Sequence, residues 1–468
     1  MIFQSYEYIT LLISVVVIFW FLSKKNQNII LLIASYTFYG YLNPWLILLL
    51  SGYTLVNYFS ALKIQRSKEE KTRKVFLIFA ISSGLFVLGI FKYLGFFVEN
   101  FTQLLANFGL VNSNLTLQIF LPVGISFYTF QTISYVFDVY TYKTKARKSL
   151  IDVSLFIGFF PQLIAGPIEK ANSLLSQIET KKKFKIKNFN DGISLIIWGF
   201  FKKLVIADNV AIISDKIFLL EEPNFLLIII GSLAFGVQIL ADFSGYTDIA
   251  RGSAKLLGIN LSSNFNNPYF SRSIIDFWRR WHITLSIWFR DYVYVPLGGS
   301  RRSNVRNYTN ILITFILTGL WHGAAWNFIF WGLFNGIIII LTRFYWRITN
   351  FRFNLLGFLL TFCFIHLGWF IFRSENFYSV LLSSFSNINI DLKTYIYLLM
   401  QIFIFSFPLY IYGVYEVIKS KKNISLRLNS VLNLLENIYT RSVIVMFLYL
   451  GILILRSDVT SDFIYFKF

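Results

Sequence analysis

A long stretch without charge limits this chain to the membrane-protein folds. Residues 311–342 contain no Asp, Glu, Lys or Arg, and Arg306 precedes the stretch while Arg343 and Arg347 follow it. A helix crosses a bilayer with about 20 apolar residues, and Lys and Arg mark the cytoplasmic side of membrane proteins. Because both ends are basic, we predict that this stretch forms a helical hairpin or two spans.

Similar apolar runs recur along the whole chain, which is 56% hydrophobic and only 14% charged. Besides 311–342 they are residues 8–22, 29–62, 75–98, 117–140, 151–168, 192–220, 225–243, 355–372, 394–417 and 442–455. Asn43 and Pro44 divide the run 29–62 into two. We therefore predict an all-α polytopic membrane protein with roughly 11–13 transmembrane helices plus one or two re-entrant segments. Residues 1–468 are expected to form a single transmembrane domain.

The basic residues indicate orientation rather than a nucleic-acid partner. The formal net charge is +20, but the Lys and Arg residues form short clusters between apolar runs. This distribution is typical of the positive-inside rule and of contact with anionic lipid headgroups. The first apolar run is expected to remain as an anchor, because no basic region precedes it. Cys363 is the single cysteine, so no intramolecular disulfide can form.

One apolar run is expected to enter and leave the membrane on the same side. Basic clusters flank residues 151–168 at both ends, and Pro161, Gly166 and Pro167 interrupt any continuous helix there. Since irregular backbone is tolerated at membrane depth only inside protein or beside water, we interpret this run as a re-entrant segment.

His322 is the first candidate for chemistry, because it lies inside the uncharged stretch 311–342. At helical spacing Thr318, His322 and Trp326 would share one face, with Gly319 and Gly323 forming a groove beside it. An ionisable residue in a membrane span is a functional-site hypothesis by default. The alternative is a neutral histidine that hydrogen-bonds a neighbouring helix.

His282 is the second candidate and ends a dense polar and aromatic patch. The patch comprises Asp276, Phe277, Trp278, Arg279, Arg280, Trp281 and His282. A helical pattern would place Trp278, His282, Ser286 and Arg290 on one face. The patch could be an interfacial aromatic belt, or an electropositive site for a phosphate-bearing donor, since Arg binds phosphates in a bidentate manner.

Other residues suggest structural roles or leave the choice open. His366 has no charged neighbour and is expected to be a hydrogen-bonded core residue. The three histidines lack Cys/His ligand spacing, so we predict no metal site. Two polar groups could line a cavity or bond helices together: Gln131, Ser134 and Asp138, and Gln238, Asp242, Ser244 and Asp248. The absence of a Walker loop and of a G-x-S-x-G motif argues against ATP-driven pumping and serine hydrolysis.

Several motifs together resemble the membrane-bound O-acyltransferase (MBOAT) family, in its bacterial branch of alginate O-acetyltransferase-like proteins. They are the runs 277–286, 288–292 and 321–323, supplemented by 121–127, 166–168, 242–246, 266–269, 296–301 and 463–466. The similarity extends over most of the chain. It is less specific for the acceptor polymer than for the family.

The resemblance implies a helical fold around a tunnel and transfer of an acyl group, most simply acetyl, across the membrane. It implies a cytoplasmic acyl donor such as acetyl-CoA, no bound cofactor, and an envelope polysaccharide of alginate or peptidoglycan type as acceptor. A periplasmic or extracellular acetyltransferase partner and the cytoplasmic (inner) membrane of a bacterium are implied as well.

By motif match, His322 is the essential histidine and His282 the second family histidine. Trp278, Arg279, Arg280, Trp281 and Arg290 would bind the donor, and Trp321 and Trp326 would wall the tunnel. Two alternatives stay open: transfer of D-alanyl groups from a carrier protein to teichoic acid, and a polysaccharide or lipid translocator without chemistry. Residues 296–301 argue against the D-alanyl alternative.

Overall fold

A computed structural model describes residues 1–110, 116–117, 119–349, 355–384, 391–419, 426–459 and 461–466. Of these residues, none lies in a β-strand, so the predicted all-α class is confirmed. The chain forms two compact units: 1–193 with 250–262, and 194–249 with 263–468. The prediction of a single domain stays a prediction.

The first unit is built from helices that the apolar runs predicted. They are α1 (Tyr6–Phe19), α2 (Lys24–Gly40), α3 (Trp45–Arg66), α4 (Glu70–Leu88), α5 (Leu94–Asn107), α6 (Ile125–Tyr140), α7 (Leu150–Gly158), α8 (Ala171–Ile178) and α9 (Ile186–Phe200), the last reaching the second unit. The predicted break at Asn43 and Pro44 separates α2 from α3. A tyrosine network joins the helices: the Tyr53 hydroxyl donates to the Gly84 carbonyl at 2.9 Å, and the Tyr39 and Tyr128 hydroxyls lie 3.2 Å apart.

The run 151–168 begins as a helix and ends as irregular backbone. After α7 the chain turns at Pro161, and the residues from Phe159 to Ile168 are buried. The Phe160 amide donates to the Ser35 hydroxyl at 3.1 Å, and the Gln162 side-chain amide donates to the Phe156 carbonyl at 2.9 Å. These bonds satisfy backbone groups that apolar surroundings would leave without partners. The predicted helix break is thus present, whereas re-entry from one face of the membrane stays a prediction.

The remaining helices belong to the second unit, except for the last residues of α11, which belong to the first. They are α10 (Asp208–Phe218), α11 (Phe225–Leu256), α12 (Ile274–Arg280), α13 (Ile283–Phe289), α14 (Asn304–His322), α15 (Trp326–Thr349), α16 (Leu355–Arg373), α17 (Phe377–Ser383), α18 (Leu392–Lys419), α19 (Leu426–Glu436) and α20 (Ile438–Leu455). The predicted hairpin in 311–342 is the α14–α15 pair. The run 192–220 is divided by a π-helical turn, Phe201–Ala207. One core of this unit packs Trp198 and Phe201 against Ala234, Val237 and Ile402.

Seven helices in the described part of the chain are long and apolar enough to cross a membrane. They are Trp45–Arg66, Glu70–Asn107, Phe225–Leu256, Trp326–Ile348, Leu355–Arg373, Leu392–Lys419 and Ile438–Leu455. The second of these combines α4 and α5, which a π-helical turn, Gly89–Tyr93, joins into one continuous helix. This count is below the predicted 11–13, because several apolar runs form shorter helices: α1 has 14 residues, α2 has 17 and α6 has 16. At about 1.5 Å per residue these fall short of a bilayer core of about 30 Å. The protein is nevertheless a multi-pass membrane protein, as predicted.

Candidate active site

His322 is the last residue of α14, at the tip of the α14–α15 hairpin. Gly323 is extended, with φ −163° and ψ 159°, and α15 begins only at Trp326. The expected shared face of Thr318, His322 and Trp326 is therefore wrong, because the helix ends before Trp326. Trp326 is 54% exposed and its ring packs on Phe330, whereas Trp321 is buried.

Two glycines let the arms of this hairpin touch through their backbones. A Cβ atom on Gly319 would lie 2.1 Å from the Phe328 carbonyl oxygen, and one on Gly332 would lie 2.3 Å from the Phe315 carbonyl oxygen. Small residues allow such approach between membrane helices. The small-residue groove expected at Gly319 is thus occupied by α15. This contact fixes the position of His322 at the end of α14.

Aromatic side chains from three helices and the carboxyl-terminal segment surround His322. Its ring centroid lies 5.1 Å from those of Trp321 and Trp331, 5.3 Å from that of Phe372 and 5.6 Å from that of Tyr465. The side chain is only 3% exposed. An imidazole held in this way is shielded from water and has few rotamers open to it.

His282 lies in a sharp break between α12 and α13. Its φ of 40° and ψ of 56° are left-handed, so the expected face of Trp278, His282, Ser286 and Arg290 on one helix is wrong. Asn264 explains the break, since its carbonyl accepts from the Ile283 amide at 2.9 Å and its side-chain oxygen accepts from the Thr284 hydroxyl at 2.6 Å. These bonds hold the first two residues of α13, so that a new helix begins after the turn.

The His282 ring is buried among aromatic rings. It is 1% exposed, and its centroid lies 4.7 Å from that of Phe243, 5.8 Å from Trp321 and 6.4 Å from Tyr465. His282 is outside the seven candidate spans, and burial lowers the pKa of its imidazole to about 3. The ring is therefore neutral near pH 7.

The two histidines consequently share two aromatic neighbours, Trp321 and Tyr465. The sequence analysis predicted both histidines and Trp321 but assigned no site role to Tyr465, although residues 463–466 belong to the motifs behind the resemblance. Nothing in the local sequence around Tyr465 indicates that it would reach α14. We call these four residues, with Trp331 and Phe372, the histidine pocket.

The remaining residues of the predicted donor site lie around this pocket rather than in it. Trp278 packs on Trp331, and Trp281 packs on Trp369. Arg280 pairs with Asp276 at 3.0 Å, and Arg290, 59% exposed, pairs with Asp291 at 2.7 Å. Arg279 is exposed on α12. Arg279 and Arg290 are thus exposed, whereas His282, which lies between them in the sequence, is buried.

His366 is a buried, hydrogen-bonded histidine, which is the structural role predicted for it. Its Nδ1 lies 3.1 Å from the Ser232 carbonyl oxygen, and its ring packs on Phe362 and Tyr269. It therefore serves as an internal comparison for the other two histidines.

Fold and site together define a class: a multi-pass helical membrane protein in which two buried histidines contact the same aromatic rings. Residues 31–381, which include both histidines, match the MBOAT, membrane-bound O-acyltransferase family. The chain belongs to this family and is an O-acyltransferase.

Named relatives support the same assignment. The chain is 38% identical to the "Probable alginate O-acetylase AlgI" of Pseudomonas putida, over 80% of this chain and 78% of the relative. It is 37% identical to the peptidoglycan O-acetyltransferase of Helicobacter pylori, over 75% and 72% of the two chains. Similarity to the teichoic acid D-alanyltransferase of Bacillus subtilis is lower, at 29% over 55% and 69%.

Proposed function

We propose that the protein transfers acetyl groups from cytoplasmic acetyl-CoA toward an envelope polysaccharide of alginate or peptidoglycan type. We propose in addition that the protein lies in the cytoplasmic membrane of a bacterium. An extracytoplasmic acetyltransferase is its proposed partner. The names of the two more similar relatives support acetyl as the acyl group. The observation that carries the proposal is the burial of His322 beside His282 in one aromatic pocket.

His322 acts as the general base in this proposal. Its neutral imidazole takes the proton of the acceptor hydroxyl while the hydroxyl oxygen attacks the thioester carbonyl carbon. The carbon–sulfur bond then breaks, and the protonated imidazole returns the proton to the departing CoA sulfur. A positioned base contributes about 10²–10⁴-fold to such a reaction. Exclusion of water by the aromatic rings protects the thioester from hydrolysis.

His282 is proposed to assist His322 in the same pocket as a neutral imidazole. We expect His282→Asn to lower kcat about tenfold or more, because the imidazole is lost, while the protein stays folded. Asparagine tolerates the left-handed backbone at this position, which makes it the matched replacement. CoA release from acetyl-CoA in inverted membrane vesicles measures kcat, and a wild-type kcat would remove His282 from the reaction.

The exposed Arg279 is proposed to contact the donor's phosphates. We expect Arg279→Gln to raise KM for acetyl-CoA about tenfold with kcat unchanged, because a charge-assisted contact to a phosphate contributes to binding but not to the chemical step. Arg347, which is exposed near the end of α15, supplies the control Arg347→Gln. Equal KM values for both variants and the wild type would contradict this contact.

D-Alanyl transfer is the alternative supported by the third relative. Alkaline release of the esters from envelope polymers distinguishes the two, since acetate and alanine are separate products. We expect the amount of released acetate to fall in a strain that lacks the protein, and the amount of released alanine to stay unchanged.

A further inference from the structure

A buried ionic cluster lies in the second unit, in residues that the proposed reaction does not use. The Lys203 ammonium is 2.8 Å from Asp208 Oδ1 and 3.0 Å from Asp242 Oδ1. The three side chains are 1%, 1% and 3% exposed. One cation thus faces two carboxylates, and buried charges of this kind need further hydrogen bonds.

The carboxyl-terminal segment, residues 461–466, supplies those bonds. The Ser461 hydroxyl donates to Asp208 Oδ1 at 2.6 Å, and the Ser461 carbonyl accepts from Lys203 Nζ at 2.7 Å. The Ile464 amide donates to Asp242 Oδ2 at 2.7 Å. Each member of the ionic cluster is therefore bonded directly to this segment.

Residues adjacent in sequence connect the ionic cluster to the histidine pocket. Tyr465 follows Ile464 in the chain, and Phe243 follows Asp242. The Phe243 ring lies 4.6 Å from that of Tyr465 and 4.7 Å from that of His282. Tyr246, one turn further along α11, stacks on Phe463 at 4.2 Å. A movement of the segment at Asp242 would thus move Tyr465 relative to both histidines.

Stability alone does not explain a buried ion cluster at this point. Apolar residues of similar volume often stabilise a fold as well as buried ion pairs do, whereas ion pairs fix geometry through directional bonds. Here the directional bonds reach the backbone amide next to Tyr465.

We propose that Lys203, Asp208 and Asp242 are positioning residues that hold the carboxyl-terminal segment so that the Tyr465 ring stays in contact with the rings of His282 and His322. This inference rests on the proposed function, in which that pocket carries the reaction. It gives Lys203, Asp208 and Asp242 a role in the reaction through the segment that carries Tyr465.

The first measurement is thiol accessibility, which is independent of activity. In a Cys363→Ser background, Ile464→Cys places a thiol at a side chain that is 3% exposed and keeps the backbone amide. We expect N-ethylmaleimide to label this thiol several-fold faster when Asp242→Asn is added. Asp248→Asn is the matched control, because Asp248 lies on α11 like Asp242 and pairs with a different lysine, Lys202, at 2.7 Å. It should leave the labelling rate unchanged.

The second measurement is kinetic and uses CoA release from acetyl-CoA in inverted membrane vesicles, without the cysteine substitutions. We expect Asp242→Asn to lower kcat about 10²-fold, since a displacement of about 1 Å at a site can cost that much, while KM for acetyl-CoA is kept. Ser461→Ala removes only the hydroxyl bond to Asp208 and should give a smaller loss of the same kind. Asp248→Asn should retain the wild-type kcat.

Two results would overturn the inference. Unchanged labelling in Asp242→Asn would show that the cluster does not hold the segment, and faster labelling with wild-type kcat would show that its position is irrelevant to the reaction. A wild-type kcat in His322→Ala would refute the proposed function instead. The labelling result would remain valid, so the two failures are distinguishable.

Discussion

Replacing His322 by alanine is expected to lower the rate of acetyl transfer about 10²–10⁴-fold, because the acceptor hydroxyl then loses its base. In cells, ester-linked acetate on envelope polysaccharides should fall to the level of a strain lacking the protein. The measurement is acetate released by mild alkali, normalised to the amount of protein in the membrane.

His366→Ala is the control for this experiment. It also removes a buried histidine, with its contact to the Ser232 carbonyl, and is expected to cost stability without abolishing transfer. Equal acetate levels in the His322 variant and the wild type, with both proteins present in the membrane, would exclude His322 as the base. Such a result would favour a translocator without chemistry.

Replacing Gly319 by alanine is expected to give the largest loss of stability, because the added methyl group would meet the Phe328 backbone at 2.1 Å. A side chain can rotate away from such a clash, but here α14 and α15 must separate. Overpacking of this kind costs about 1–3 kcal/mol, and backbone contact places Gly319 at the upper end. The thermal midpoint of the detergent-solubilised protein measures the effect.

Gly52→Ala is the matched substitution, since an added Cβ there meets nothing within 4 Å. It should be neutral or slightly stabilising, as alanine favours helix by about 1 kcal/mol over glycine. A thermal midpoint for Gly319→Ala equal to that of Gly52→Ala would contradict the close packing of the hairpin.

Features that depend on local sequence were predictable. Asn43 and Pro44 lie between Gly40, the last residue of α2, and Trp45, the first residue of α3, because proline is tolerated at a helix start but not in a helix interior. The basic residues on both sides of 311–342 predicted a hairpin or two spans, and the chain is interrupted there between His322 and Trp326. Both interruptions are present. The prediction of His282 and His322 as site candidates rests partly on local features and partly on the family motifs.

Features that depend on distant residues were not predictable. The i+4 pattern from Trp278 to Arg290 is compatible with one helix, and only Asn264, earlier in the chain, explains the break at His282. Tyr465 contacts both histidines, and the amide of the preceding residue, Ile464, donates to Asp242, which is far away in sequence. Trp326 is exposed because α14 ends at His322. The apolar run continues without interruption through this point, so the sequence pattern does not show where the helix ends.

We propose that the histidine pocket transfers acetyl groups from a cytoplasmic donor toward an envelope polysaccharide. Inverted vesicles expose the cytoplasmic face, so radiolabelled acetyl-CoA can be supplied from outside. We expect alkali-labile label on polysaccharide in vesicles with the wild-type protein and only background label with His322→Ala. Equal labelling in both preparations would contradict it.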